Sequence, residues 1–174
     1  MVSPIESLTW TAEQHAANFR RSPVRRALFR KLQRDLWHVT SEVGYGRIKE
    51  AGAILPNVND QFLSFYKADS FAKAKDYVAL FDFETPTREQ IIPEWVKCER
   101  FFTLYKPTIA LRLDRRQLFD KLIANDAARG SEGRGKQWIP VVEVWYPEPI
   151  PVSAIVERAV INHDGSELRV EVLR

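Results

Sequence analysis

Glu143, His38 and the tyrosines Tyr66 and Tyr77 are the residues whose types and settings suit chemistry. Glu143 interrupts an apolar run, Val141-Val142-Glu143-Val144-Trp145-Tyr146, of the kind strands bury. A buried carboxylate without a partner is costly, so Glu143 must point into a polar cleft, face solvent on an edge strand, or pair with a cation. His38 follows Leu36-Trp37 and precedes the polar pair Thr40-Ser41, a place from which an imidazole projects into a cleft. Taken alone, it reads as a hydrogen-bonded structural residue. Tyr66 and Tyr77, eleven positions apart, bracket a strand end, a cap and a short helix. A turn there can fold their rings toward each other. Two facing rings form a slot for a flat heteroaromatic ligand, each stacked pair contributing roughly 0.5–1.5 kcal/mol. By itself the pair is also ordinary core packing.

Other chemistries are poorly supplied. Cys98 is the single cysteine, and His15, His38 and His163 are the three histidines. An internal disulfide, a thiolate zinc site and an iron–sulfur cluster are thereby excluded, and a metal would have to lean on carboxylates. No calcium-loop spacing occurs, and we expect no metal. The glycine cluster Gly130, Gly133 and Gly135 precedes a strand rather than following one, so neither a Walker loop nor a dinucleotide fingerprint is present. By composition, residues 129–136 read as a flexible loop carrying Arg129, Arg134 and Lys136.

The elements that must position these groups read as follows. Thr11-Ala12-Glu13-Gln14 has capping-box spacing, and Ser22-Pro23 an N-cap with proline at the first helical position. Val24, Leu28, Phe29, Leu32 and Leu36 recur at helical spacing, so a two-helix leader packs on the body by that stripe. Strands are expected at 36–39, 62–66, 78–83, 108–113 and 139–145. Short helices are expected from Thr40 or Ser41 to Gly52, from Asp69 or Ser70 to Tyr77, and over 115–123. Residues 84–106 are ambiguous, helical around Pro93-Glu94-Trp95-Val96. A hairpin of 156–161 and 168–173, turning at Asp164-Gly165, ends the chain. Short strands interrupted by short helices, without regular βαβ alternation, give an α+β domain.

The 174 residues are enough for one domain, and 45% hydrophobic with 28% charged residues is a globular rather than disordered balance. No apolar run reaches membrane-span length and the N-terminus lacks signal-peptide features. We therefore expect no membrane partner and a cytoplasmic location. The net charge of +3 is uneven. Seven Lys/Arg in residues 1–35 against Glu6, Glu13 and Asp35 give +4, while the rest, with 19 basic and 20 acidic groups, gives −1. A basic leader suits a phosphate-rich partner such as DNA or RNA, or is simply a solvated helix face.

Together these segments resemble the ADP-ribosyltransferase superfamily, in particular its poly(ADP-ribose) polymerase-like branch with a His-Tyr-Glu triad. Leu36-Trp37-His38 is similar to that family's first strand. Tyr66-Lys67-Ala68-Asp69 followed by Lys73-Ala74-Lys75-Asp76-Tyr77 is similar to its tyrosine segment, and Glu143 on a late strand to its glutamate. The stretch 143–155 also resembles the glutamate region of DNA-modifying ADP-ribosyltransferase toxins. The resemblance implies a split β-sandwich of two small mixed sheets over residues 36–174, with 1–35 as a basic helical extension. It implies NAD as substrate, bound by His38, Val39, Thr40, Tyr66, Ser70 and Tyr77, with Glu143, His38 and Tyr77 catalytic. It also implies that Arg129, Arg134 and Lys136 meet a nucleic-acid or protein acceptor. The expected activity is cleavage of the nicotinamide–ribose bond, as a transferase or NAD glycohydrolase. Three positions differ from the family: Val39 replaces its glycine, Ala74 its serine, and Val141 the first Glu of the Glu-x-Glu seen in arginine-modifying members. They define the alternative, a degenerate fold of this family that binds a ligand or nucleic acid without catalysis.

Overall fold

The structure, a computed structural model, describes residues 11–58, 70–164 and 167–173, with the backbone alone at Ala12 and beyond residue 162. Helix α1 (Ala12–Arg21) opens with the reciprocal box expected of its spacing: the Thr11 hydroxyl accepts from the Gln14 N–H, and the Gln14 side chain accepts from the Thr11 N–H. Helix α2 (Pro23–Leu32) starts on Ser22, whose Oγ accepts from the Arg25 N–H, with Pro23 in the first turn. Strand β1 (Leu36–Ser41) runs straight into α3 (Glu42–Ala51), because Ser41 ends the strand and its Oγ caps the helix on the Gly44 N–H. Gly52 ends α3 at φ 70°. Then come β2 (Ala53–Ile54), the single turn α4 (Phe71–Ala74) capped by Ser70, and β3 (Val78–Asp82).

The ambiguous stretch holds α5 (Arg88–Ile91), a 3-10 turn (Ile92–Glu94) and α6 (Trp95–Phe102). Strand β4 (Thr108–Leu113) lies where expected. The helix expected over 115–123 is instead α7 (Arg115–Leu118) followed by a 3-10 turn (Phe119–Lys121). The strand expected from 139 begins only at Glu143: β5 spans Glu143–Tyr146. Residues 139–142 form a turn with Val141 at φ 73°, which no strand accommodates. Strand β6 (Ile150–Pro151) precedes the long hairpin of β7 (Ile155–Asp164) and β8 (Glu167–Leu173). The strand expected at 62–66 and Gly165 of the expected turn lie outside the described residues.

The architecture is α+β. In place of two small mixed sheets there is one six-stranded sheet, ordered β5-β3-β1-β4-β7-β8, and a two-stranded sheet of β2 and β6. Among the described strands the pairings are antiparallel, while one isolated bridge, Ser70 to Gln137, is parallel. Alternation along the strands gives the large sheet two apolar faces. Trp37, Phe81, Ala110 and Ala159 face a layer holding Phe19, Leu28, Phe29, Leu32, Trp95, Cys98 and Phe102. Leu36, Leu80, Leu111 and Val144 face Ile48 of α3, with Ile54 and Ile150 of the small sheet. The leader helices share the body's core rather than standing off from it, and ion pairs from Arg25 to Glu99 and from Lys31 to Glu157 fasten them at the edge. Among the described residues, no helix is long and apolar enough to cross a membrane.

Candidate functional site

The sheet parts where the chemistry gathers. β1 pairs with β4 along all six of its residues, but with β3 only at Leu36–Asp82 and Trp37–Phe81. Beyond that point β1 and β3 diverge, and the Ala79 carbonyl loses the partner an unbroken ladder would supply. The His38 ring takes its place, with Nδ1 3.1 Å from the Ala79 oxygen. A carbonyl only accepts, so Nδ1 carries the proton and Nε2 is left as an acceptor. Burial lowers the His38 pKa to about 4, and the imidazole is neutral at pH 7.

The opening forms a cleft of about 990 Å³. His38, Val39, Thr40, Ser70, Tyr77 and Glu143 all line it, so six of the residues singled out from sequence converge. In an unbroken pleat His38 would share the face of Leu36, and Glu143 that of its cross-strand partner Phe81. They reach a common space because the strands separate. Arg47 of α3 and Lys73 of α4 bring positive charge to the lining and Glu50 one negative charge, and the exposed apolar side chains Val43, Leu55 and Leu104 border it. Tyr66 lies outside the described residues, so the two-ring slot has one described member: Tyr77, whose ring meets Phe71 edge-on at 6.4 Å.

Glu143 is 4% exposed. Its Oε2 accepts from the Ile139 N–H at 2.7 Å and its Oε1 from the Trp145 indole at 3.0 Å. Both bonds favour the carboxylate, but burial outweighs them and lifts the pKa to about 7. Each oxygen keeps a second lone pair toward which a ligand hydroxyl can donate. The group is thus held in place, poorly hydrated and near its ionisation midpoint at neutral pH, a combination typical of functional carboxyls.

What holds the carboxylate is a turn that the sequence did not reveal. Val141 is a β-branched residue in the left-handed region, a conformation costing of order 1–3 kcal/mol. Asn125 sustains it from a 3-10 turn (Asn125–Arg129). Its Oδ1 accepts from the Val141 N–H at 2.8 Å, and its Nδ2 donates to the carbonyls of Ile139 at 2.9 Å and Glu143 at 2.7 Å. No local spacing could have signalled these contacts, which reach 14 to 18 residues along the chain.

Arg129, Arg134 and Lys136 do not line the cleft. They border a second depression of about 420 Å³ with Trp138. The loop read as flexible from its glycines takes up two successive 3-10 turns, Asn125–Arg129 and Ser131–Gly133. A Cβ on Gly133 would stand 1.8 Å from the Ala128 oxygen, so that glycine is there for close packing. The Phe71 N–H donates to the Gln137 carbonyl and Lys75 pairs with Glu132, tying the loop to α4. Among the described residues, no group of three or more His, Cys, Asp or Glu could hold a metal ion.

No family model matches the chain, and no curated protein matches it. Among solved structures, it is similar to protein CC0527 from Caulobacter crescentus at TM-score 0.47 and 15% identity, over 78% of this chain and 92% of that one. A double mutant of the same Caulobacter protein gives TM-score 0.46 and 14% identity over the same shares.

Proposed function

We propose that the chain cleaves NAD at the nicotinamide–ribose bond, as an ADP-ribosyltransferase or NAD glycohydrolase. The observation that supports this reading best is the shared cleft of His38, Tyr77 and the poorly hydrated Glu143. As the C–N bond breaks, its electron pair passes to the pyridinium nitrogen and nicotinamide leaves neutral. Positive charge then builds on the ribose, as in glycoside hydrolysis. The Glu143 carboxylate stabilises that charge in a site where water screens it little. His38 Nε2 accepts from a ribose hydroxyl, Tyr77 holds the nicotinamide ring, and Arg47 and Lys73 suit the pyrophosphate. Water or an acceptor hydroxyl or ring nitrogen closes the bond to ribose and releases its proton. The basic depression of Arg129, Arg134 and Lys136 suits a phosphate-bearing acceptor.

Because only ionised Glu143 supplies the charge, kcat/KM for free-nicotinamide release should rise with pH through a midpoint near 7. Glu143→Gln should leave the fold intact and lower turnover by about 10²–10³-fold. Wild-type rates from that variant would end the catalytic assignment. The second reading, a ligand-binding module without catalysis, draws on Val39, on Ala74 and on the fact that both Glu143 oxygens already have protein donors. Calorimetric titration with NAD and a nicotinamide assay separate the two: binding heat without nicotinamide release belongs to the module.

A further inference from the structure

We infer that Asn125 is the positioning residue for Glu143: its amide locks the 139–143 turn in the shape that presents the Ile139 N–H to the carboxylate. Three of the four hydrogen bonds an Asn side chain can make go to alternate residues of this one turn. The amide's orientation is fixed by its surroundings, since two carbonyls demand the NH₂ and one N–H demands the oxygen. The backbone closes the same loop, the Glu143 N–H reaching the Ile139 carbonyl at 3.2 Å. Val141 resists this shape, because a β-branched residue left to itself returns to extended backbone. Released from Asn125, the turn would straighten toward the strand its sequence favours. The Ile139 N–H would then leave Oε2, and one of the carboxylate's two protein anchors would be lost.

The catalytic consequence rests on the NAD-cleaving reading; the structural one does not. The Trp145 indole N–H, bonded to Oε1, reports Glu143 ionisation directly in the nitrogen–proton NMR spectrum of the full chain. Cys98, its thiol held protonated by burial first and then by the charges of Glu94 and Glu143, and His38, neutral in the folded chain, both keep one charge state around pH 7. Arg47, Glu50, Lys73 and Tyr77 line the same cleft and are unaltered in the variants below. In Asn125→Ala the indole titration midpoint should move up by about half a unit or more, as a donor to the carboxylate is withdrawn. Nicotinamide release should fall about tenfold or more in kcat with KM within about threefold. Asn125→Asp, which sets an oxygen against both carbonyls, should do at least as much. A purely structural Asn125 would lower the urea midpoint and leave the titration and kcat unmoved, and that result overturns the inference. Val141→Gly, which frees the turn from its unfavourable backbone, should restore much of the lost midpoint and folding to Asn125→Ala. Failure of the double variant to recover either property also overturns it, including where the single variant does not fold. If the wild-type chain releases no nicotinamide, the functional reading fails while the titration still decides the role of Asn125.

Discussion

His38 and Glu143 are displaced in opposite senses by the same low-polarity cleft, and the displacements act on stability in overlapping pH windows. Glu143 has its folded pKa raised from 4.5 to about 7, so between those values the folded chain holds a proton that the unfolded chain has released. Stability from this group is therefore lost as pH rises through that window. His38 has its folded pKa lowered from 6.5 to about 4, so the unfolded chain binds the extra proton there. Stability from the imidazole is lost as pH falls from 6.5 toward 4. Each effect amounts to at most about 3 kcal/mol, and between pH 4.5 and 6.5 they nearly cancel. Single variants should uncover them. Urea midpoints of Glu143→Gln should rise with pH from 4 to 6.5, and those of His38→Asn should fall from 4.5 to 7. Parallel pH profiles for wild type and both variants would show that the two groups are not titrating in the folded cleft.

Elements differ in how tightly they constrain a single added methyl. A Cβ at Gly133 meets the Ala128 carbonyl at 1.8 Å, backbone against backbone, so Gly133→Ala should cost about 1–3 kcal/mol in urea unfolding. At Gly46, inside α3, a Cβ meets nothing within 4 Å, and Gly46→Ala should stabilise by about 0.5–1 kcal/mol. An equal response at the two positions would mean that the Ser131–Gly133 turn is not packed as described. Local chemistry of this sort is what a sequence displays openly. The capping box at Thr11, the N-cap at Ser22, the Ser41 cap and the αL exit at Gly52 were readable because each element is fixed within four or five residues. Glu143 stood out because a carboxylate is unusual in an apolar run, whereas His38 and Tyr77, each ordinary taken alone, were joined to it by the ordered resemblance of their segments. Hidden from it were β2 and β6, two residues each and held together only across the fold, and the break between β1 and β3. Residues 139–142 misled because an apolar, β-branched run favours a strand and tertiary hydrogen bonds from Asn125 override it.

At the scale of the whole molecule, the basic leader is an integral layer. Phe19, Leu28, Phe29 and Leu32 are at most 3% exposed and share a core with Trp37, Phe81 and Trp95. Burial of four such side chains contributes about 1.5–3 kcal/mol each, a sum comparable with the roughly 5–15 kcal/mol that holds a typical domain folded. A chain beginning at Leu36 should therefore show no cooperative thermal unfolding. Deleting the leader cannot test whether its charge meets a nucleic acid. The charge itself is also smaller than its count suggests, since Arg25 and Lys31 are committed to Glu99 and Glu157. Arg20, Arg21, Arg30 and Arg34 are exposed, and replacing all four with Gln should shift stability by no more than about 0.5 kcal/mol each. Nicotinamide release should be unchanged, because none of the four lines the cleft. If the leader binds phosphates, the slope of affinity against salt for single-stranded DNA should flatten in that variant, by about 0.7 per lost contact. An unchanged slope removes these arginines from any acceptor interface, and a folded chain starting at Leu36 would show that the sheet holds its inner face without them.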